Sequence, residues 1–362
     1  MAENNKKAIV AMSGGVDSSV AALLAIRAGW DCIGATMKLF GGGADEPDSR
    51  CCSVDDVADA RAVANRLGMP FYVFNFKREF REGIIDRFTQ YYLSGRTPNP
   101  CIDCNKYMKF GKLFARADEL GIDYVVTGHY ARAEYDEATG KYLLKRAVNP
   151  DKDQSYVLYS LTQEQLARVK FPLGGLSKGE VRRIAEENGF VNARKPDSQD
   201  ICFIPDGDVF QAVRRYSGVT PEPGDFVDTS GRTVGRHEGI CKYTVGQRKG
   251  LGIAAGEPLY VRSINAADNT VVLCRGEELF SGTAKVKDIN WCSGTAPEAP
   301  FRCGVRIRYR APVAPATVIP DACGGADVEF DTPQRAVTPG QAAVFYDGET
   351  VLGGGEITGG DR

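Results

Sequence analysis

The sequence predicts an α/β protein with a parallel-sheet domain, followed by a small β-rich domain and a C-terminal β-barrel. In the first half, short apolar runs alternate with helical segments, which is typical of a parallel sheet. After about Pro205 the helical patterns become rare, and Pro and Gly separate short β-type runs, as in small barrels and sandwiches. A turn rich in Gly and Ser joins the first apolar run to the first helix.

The predicted elements divide the chain into three parts. Strands are predicted at 7–12, 31–39, 71–76 and 124–127, and helices at 18–28, 54–67, 79–93 and 106–120. Later β-type runs lie at 259–264, 270–274, 317–319 and 342–346. We therefore predict a catalytic domain at 1–205, a small β-rich domain at 206–280 and a β-barrel domain at 281–362.

The composition describes an ordinary soluble protein. The chain has 362 residues, 43% of them hydrophobic, and a formal net charge of −2. This balance argues mildly against a nucleic-acid partner, because phosphate binding usually requires a basic surplus, although a local basic face remains compatible with it. The polar start is followed by an apolar run too short for a signal core or a membrane span, so we expect a cytoplasmic protein. We also expect a monomer.

The Gly- and Ser-rich turn predicts a phosphate-binding loop. Its glycines allow close backbone approach, and the free N–H groups at the start of the helix form an anion site. Asp17 is unusual beside phosphates, because a carboxylate there needs a cation or has another role. Mg²⁺ shared with the phosphates is the candidate cation. The spacing fits neither a Walker A loop nor a Rossmann fingerprint. The loop consists of Ala11, Met12, Ser13, Gly14, Gly15, Val16, Asp17 and Ser18.

This loop resembles the PP-loop of the ATP pyrophosphatases, which have an adenine nucleotide alpha hydrolase-like fold. The resemblance implies cleavage of ATP between its α and β phosphates and adenylation of an oxygen on the substrate. It leaves the acceptor open, because amide-forming synthetases and tRNA sulfurtransferases share the loop.

Three cysteines stand apart from the other eight. Cys101 and Cys104 form a C-x-x-C pair in a Pro-rich loop, and Cys202 follows the α/β half. Cys104 lies at a predicted helix start, which favours its thiolate. Other readings remain open: Cys202 as a core residue, the pair as half of a zinc site, and all three thiols as ligands of an iron–sulfur cluster. Only two His are available as additional ligands.

A set of motifs in order along the chain resembles the tRNA-specific 2-thiouridylase family. The match runs from about residue 7 to residue 355. It rests on TPNP at 97–100, CN at 104–105, TGHY at 127–130, KDQSY at 152–156, DICF at 200–203, GQRKGLG at 246–252, TPGQA at 338–342 and LGGG at 352–355.

The resemblance implies ATP-dependent 2-thiolation of the wobble uridine in tRNAs for Lys, Glu and Gln. Cys202 would carry a persulfide, loaded by a sulfur carrier or a cysteine desulfurase, and Cys104 would be the partner nucleophile. The nucleotide would contact residues 11–18, Met37 and Gly128. The target base would contact Asn99, Pro100 and Cys101, and the rest of the tRNA would contact Lys152, Asp153, Gln154, Arg308 and Tyr309.

Thiolation of uridine requires a nucleotide that activates the base and two thiols, and the resemblance implies all three. A uridine C2 carbonyl is a poor electrophile, and adenylation of its oxygen makes AMP the leaving group. A persulfide sulfur then attacks C2, and a second thiol breaks the S–S bond. An amide-forming synthetase would have no use for the two thiols. An idle tRNA-binding protein would have no use for the intact loop.

A basic face is predicted at 301–310. Arg302, Arg306, Arg308 and Arg310 share parity, so on a strand they would line one face and contact phosphates. An ordinary solvated strand face is the alternative.

Cys101→Ser distinguishes the two cysteine chemistries. Some family members carry Asp at this position, so in the persulfide reading, which we favour, the variant keeps activity or changes only the rate. In the cluster reading it is as damaging as loss of Cys104 or Cys202. The measurement is anaerobic activity together with iron content. Stoichiometric iron in the parent, lost in step with activity in the variant, would overturn the persulfide reading.

Overall fold

The computed structural model describes residues 6–40, 54–197, 201–254 and 256–361. The Gly-rich sequence 41–48, for which we expect a loop, the cysteine pair Cys51 and Cys52, and Asp200 of the DICF motif lie outside these residues.

The first half is built on a parallel sheet, as predicted. All neighbouring strands in it run parallel. The predicted strands form within two residues of their expected ends, and a two-residue strand at the sheet edge was not predicted. In spatial order, the strands are Phe71–Asn75, Asp31–Lys38, Lys7–Ala11, Tyr124–Val126 and Val169–Lys170.

Helices cover both faces of this sheet, and two of the long predicted helices are irregular. The predicted helix at 79–93 contains a π-helical segment, Arg81–Ile85, and another such segment, Cys104–Lys112, overlaps the start of the helix predicted at 106–120. No described helix is long and apolar enough to cross a membrane. The α-helices are Val16–Arg27, Val54–Arg66, Lys77–Phe80, Asp86–Leu93, Pro100–Asp103, Leu113–Glu119, Gln163–Arg168, Lys178–Glu187 and Val209–Ser217, and the short 3-10 helices are Pro150–Lys152, Ser155–Leu158, Ile240–Lys242 and Gly276–Leu279.

The rest of the chain is β-rich, as predicted. A four-stranded sheet has its own core around Phe226 and Val261; its strands are Gly224–Val227, Thr233–His237, Tyr260–Asn265 and Thr270–Cys274. Six later strands close into a barrel, because the first pairs with the last. They are Phe280–Trp291, Phe301–Arg306, Ala314–Pro320, Ala326–Arg335, Ala342–Asp347 and Thr350–Gly359.

A hairpin from the first half attaches to this barrel. Its strands, Ala131–Asp136 and Lys141–Arg146, were not predicted. Leu144 pairs with Val351 of the last barrel strand, so the two halves of the chain share one sheet. The division of the chain at residues 206 and 281 stays a prediction, since this sheet crosses it.

Leu144→Ala should destabilise the protein by about 2–5 kcal/mol, because it leaves a cavity in the core shared by the hairpin and the barrel. Leu144 is fully buried there. The measurement is the free energy of unfolding by denaturant. Val148→Ala is the control, expected within about 0.5 kcal/mol of the parent, since Val148 is 61% exposed. Equal free energies of unfolding for the two variants would mean that packing at this junction contributes little to stability.

Candidate active site

The Gly- and Ser-rich turn forms a tight loop at the start of helix Val16–Arg27. Gly14 has φ +78°, and a Cβ there would lie 2.3 Å from the backbone oxygen of Asp56, so only glycine fits. Ser18 Oγ and Ser19 Oγ both donate to the Gly15 carbonyl, at 3.0 and 3.1 Å. These bonds hold the first helical turn in place, and the unpaired backbone N–H groups at the start of a helix are where an anion binds best.

The other residues expected at the nucleotide lie at the same sheet edge. Gly128 follows strand Tyr124–Val126, and a Cβ on it would lie 2.7 Å from the Ser18 nitrogen. Met37 lies near the end of strand Asp31–Lys38. That strand is tied to the loop, because Thr36 Oγ1 donates to the Met12 carbonyl at 2.7 Å. The fold therefore gathers these residues as a nucleotide site requires, while the contacts with ATP stay predictions.

Asn192 also holds the loop, and sequence reasoning missed it. It is 2% exposed, and its Nδ2 donates to the Gly14 carbonyl and to Ser19 Oγ, both at 2.9 Å. Nothing in its sequence surroundings marks it, because the contact spans more than 170 positions.

Asp17 already has a cationic partner in the protein. Lys178 Nζ lies 2.8 and 2.9 Å from its two carboxylate oxygens, and Tyr130 donates to it at 2.7 Å. Burial, and then the adjacent Asp17 carboxylate, raise the pKa of Tyr130, so the phenol stays a donor. Asp17 therefore does not depend on Mg²⁺ for charge balance, because Lys178, which sequence reasoning did not foresee, supplies a cation there. Mg²⁺ with the nucleotide stays a prediction.

The described residues also contain no group of three or more His, Cys, Asp or Glu arranged to hold a metal ion. This part of the chain does not by itself fit a resident Mg²⁺. A magnesium ion bound mainly by nucleotide phosphates would need no such group.

Lys178 belongs to a larger ionic cluster. Asp197 accepts from Lys178, Lys152 and Arg182, at 2.6, 3.0 and 3.2 Å. Burial alone would raise the pKa of Asp197, but hydrogen bonds from Lys178 and Lys152 outweigh it and lower that pKa. Sequence reasoning found Lys152 only through the family resemblance and missed the other members.

The C-x-x-C pair lies on a helix that begins earlier than predicted. The Asn99 side chain accepts from the Cys101 backbone nitrogen at 3.2 Å and caps a helix that starts at Pro100. Cys104 therefore lies one turn inside the helix, at the start of the π-helical segment. The expectation that a helix N-terminus favours the Cys104 thiolate was wrong, and Cys101 occupies that first turn instead.

Cys104 and Cys202 share surroundings that Cys101 does not. Both are half-buried and pack against the same hydrophobic core, which Ala11 of the loop also contacts. Cys101 is exposed. Ala11 of the loop and the two thiols expected to react therefore contact one large core. The roles of the thiols stay predictions.

Asp103 does not replace the Asp that some family members carry at position 101. Residues two apart on a helix point to different sides. Asp103 lies 3.1 Å from Arg87 in a small pocket, beside the charged residue Glu356 of the barrel. Burial raises the pKa of Asp103, and the charge of Arg87 opposes that rise.

The residues expected to contact tRNA divide into buried and accessible ones. Asp153 is buried and binds inward: it accepts from Ser155 Oγ at 3.0 Å and from Arg146 at 3.1 Å. Gln154 Oε1 accepts from the Tyr130 backbone nitrogen at 3.0 Å. Lys152 is half-buried, and Tyr309 is 39% exposed. Tyr309 is therefore the most accessible of these four residues.

The predicted arginine stripe does not form. The strand ends at Arg306, which is buried with its Nη1 3.7 Å from Asp153. Arg308 donates to the Ala336 carbonyl and to Thr338 Oγ1. Arg302 is exposed but paired with Asp331. Alternation failed here because two of the four side chains bind other groups of the protein: Arg306 binds Asp153 of the first half, and Arg308 binds residues of the barrel domain.

The chain matches family models along most of its length. A model described as a tRNA methyl transferase HUP domain matches residues 6–206. A tRNA methyl transferase PRC-barrel domain matches 213–275, and an aminomethyltransferase beta-barrel domain matches 281–357.

Relatives named tRNA-specific 2-thiouridylase MnmA match the whole chain. The one from Clostridioides difficile is 50% identical over 98% of each chain. The chain belongs to the tRNA-specific 2-thiouridylase family. The Acetivibrio thermocellus thiouridylase is 49% identical over 98% of this chain and 99% of its own. Among solved structures, a 4-thiouridine synthetase–RNA complex with bound ATP is 19% identical and covers 58% of this chain and 50% of its own; at a TM-score of 0.37 it supports no conclusion about function.

In this thiouridylase-family chain, Asp153→Asn should destabilise the fold by about 3–5 kcal/mol, because it breaks a buried charge cluster and leaves arginines unpaired. Unfolding by denaturant measures this. Asp151→Asn, an exposed neighbour, is the control and should stay within about 0.5 kcal/mol. A stable Asp153→Asn variant with weakened tRNA binding would instead favour a direct contact by this side chain.

Proposed function

We propose that this protein is an ATP-dependent tRNA-uridine 2-sulfurtransferase that acts on the wobble uridine of tRNAs for Lys, Glu and Gln. The observation that carries the proposal is the end-to-end alignment with thiouridylases of a chain that has all three chemical parts, the phosphate loop, Cys104 and Cys202. Ala11 of the loop and both thiols also contact one large hydrophobic core. A small-molecule ligase would need the loop but not the thiols.

The first step activates the uridine. Its O2 attacks the α-phosphorus of ATP, a new O–P bond forms, and pyrophosphate leaves. Backbone N–H groups of the loop and the helix start are the donors for the polyphosphate, with Met37 and Gly128 beside the nucleotide. In this proposal Mg²⁺ accompanies the phosphates and is not a ligand of Asp17, which pairs with Lys178.

The second step transfers sulfur. The terminal sulfur of a Cys202 persulfide attacks C2, and AMP leaves with O2. The Cys104 thiolate then attacks the Cys202 sulfur, and the bonding pair of the S–S link passes to the sulfur on C2, which becomes the thiocarbonyl. Alternatively, Cys104 first frees hydrosulfide, which attacks C2. Both routes leave a Cys104–Cys202 disulfide, which an external dithiol must reduce before the next turnover.

The partners follow from this chemistry. A sulfur carrier or a cysteine desulfurase must supply the persulfide, and tRNA must reach both thiols. Asn99, Pro100 and Cys101 form the first helical turn beside Cys104, which suits contact with the target base. Lys152, Gln154, Arg308 and Tyr309 lie along the adjoining junction, with Asp153 as their buried support. We propose that the protein acts as a monomer in the cytoplasm.

Incubation with ATP, a persulfide donor, a dithiol and unmodified tRNA should produce 2-thiouridine, measured by mass spectrometry of the nucleosides. Cys104→Ser and Cys202→Ser should each lower the rate by at least about 10³-fold, as loss of a nucleophile does. Cys323→Ser is the matched control, because Cys323 is exposed on a barrel turn, and it should retain full activity.

Two outcomes would contradict the proposal. One is the absence of 2-thiouridine from the parent under these conditions. The other is a methylated nucleoside that forms when S-adenosylmethionine replaces ATP and the sulfur donor, which would favour the activity that the family-model descriptions name.

A further inference from the structure

The helix that carries Cys104 also carries a lysine one turn further along. The π-helical segment Cys104–Lys112 places Lys109 five positions after Cys104. Because π-helical hydrogen bonds join residues that are five apart, the two residues lie one helical turn from each other, toward the same side. Short π-helical segments are frequent at functional sites, so the side chains on this turn are candidates for a role in the reaction.

This turn of the helix packs against the segment that borders the phosphate loop. The centre of the Phe110 ring, next to Lys109, lies 5.8 Å from that of the His129 ring. His129 directly follows Gly128, which lies so close to the Ser18 nitrogen that a Cβ atom would not fit. Burial lowers the pKa of His129, and the positive charge of Lys109 lowers it further. The Lys109 charge therefore acts at the edge of the nucleotide site.

Lys109 has no carboxylate partner among the described residues, although its side chain is half-buried. Lys178, which also lies near the phosphate loop, is already paired with Asp17 and Asp197. The loop itself, residues 11–18, contains no Lys or Arg. An anion gains more beside a partly buried cation than beside an exposed one, because solvent screens the pair less. The position of Lys109 therefore suits a phosphate of the ligand.

We propose that Lys109 is a further catalytic residue, whose ammonium group binds the α-phosphate of the nucleotide. This inference rests on the proposed function, in which the α-phosphate joins the nucleotide to uridine O2 while C2 stays within reach of Cys104. That phosphate lies between the loop and the thiol, an interval that the Cys104–Lys112 segment spans. The ammonium group stabilises the charge on the α-phosphate as the O–P bond forms and pyrophosphate leaves, and again as AMP departs. It neither gains nor loses a proton.

The first test needs neither tRNA nor turnover. Lys109→Gln should weaken AMP binding about 10-fold, because a hydrogen bond between charged groups is lost. Adenosine binding should stay at the parental level, because adenosine has no phosphate. Isothermal titration calorimetry measures both affinities. Lys109→Arg should recover most of the AMP affinity, since it keeps the charge.

Lys112→Gln is the matched control. It removes the same charge from the same helical segment, but Lys112 is exposed. Its affinities for AMP and for adenosine should equal those of the parent. Unchanged AMP binding in Lys109→Gln, or equal weakening in both variants, would overturn the assignment. An equal loss of adenosine binding in Lys109→Gln would also overturn it, because the effect would then not lie at the phosphate.

The second test follows adenylation. With ATP and unmodified tRNA, Lys109→Gln should release pyrophosphate about 10²-fold more slowly than the parent, as expected when one donor to a developing anion is lost. Its affinity for tRNA without nucleotide should match that of the parent. A parental rate with weakened tRNA binding would overturn the catalytic role and favour an RNA-binding helix face. If the parent makes no 2-thiouridine, the proposed function fails, whereas the AMP and adenosine affinities still decide the phosphate contact.

Discussion

The pairing of Leu144 with Val351 is the constraint on which the arrangement of the site depends. It joins a hairpin of the nucleotide-binding half to the last strand of the barrel, so the two halves share a sheet and a core. Directly after the hairpin comes the segment that carries Lys152 and Asp153. Its position relative to the loop therefore follows from backbone hydrogen bonds between distant parts of the chain, which are rigid compared with surface ion pairs.

Buried charge reinforces the same junction. Asp153 accepts hydrogen bonds from two backbone nitrogens, Ala147 and Ser155, and pairs with Arg146. A carboxylate this deeply buried is tolerable only because its partners satisfy it. Some arginine side chains that the sequence suggests for phosphate binding therefore form ion pairs within the protein instead. This also explains why a chain of nearly neutral net charge can be proposed to bind tRNA through a few accessible groups.

In this site, the residues that support the phosphate loop differ from the residues that are expected to react. Glycines, serines and Asn192 shape the loop through short, mostly buried contacts. The groups expected to react, Cys104 and Cys202, lie only half-buried against the core, so a persulfide donor and a base can approach them. Lys178 shares its ammonium group between Asp17 of the loop and Asp197.

The sequence alone determined the fold class, because alternating apolar runs and helices specify a parallel sheet locally. It also determined the phosphate loop, whose Gly and Ser pattern has few structural uses, and the family, through motifs spread over the whole chain. Only the tertiary structure decided which charged side chains form ion pairs and hydrogen bonds within the protein. Strand parity predicted an arginine stripe, yet Arg306 and Arg308 bind inward. Sequence reasoning missed Lys178, Asn192 and Asp197 for one physical reason. Each contacts residues far away in sequence, and such contacts form only when the distant strands and helices pack together.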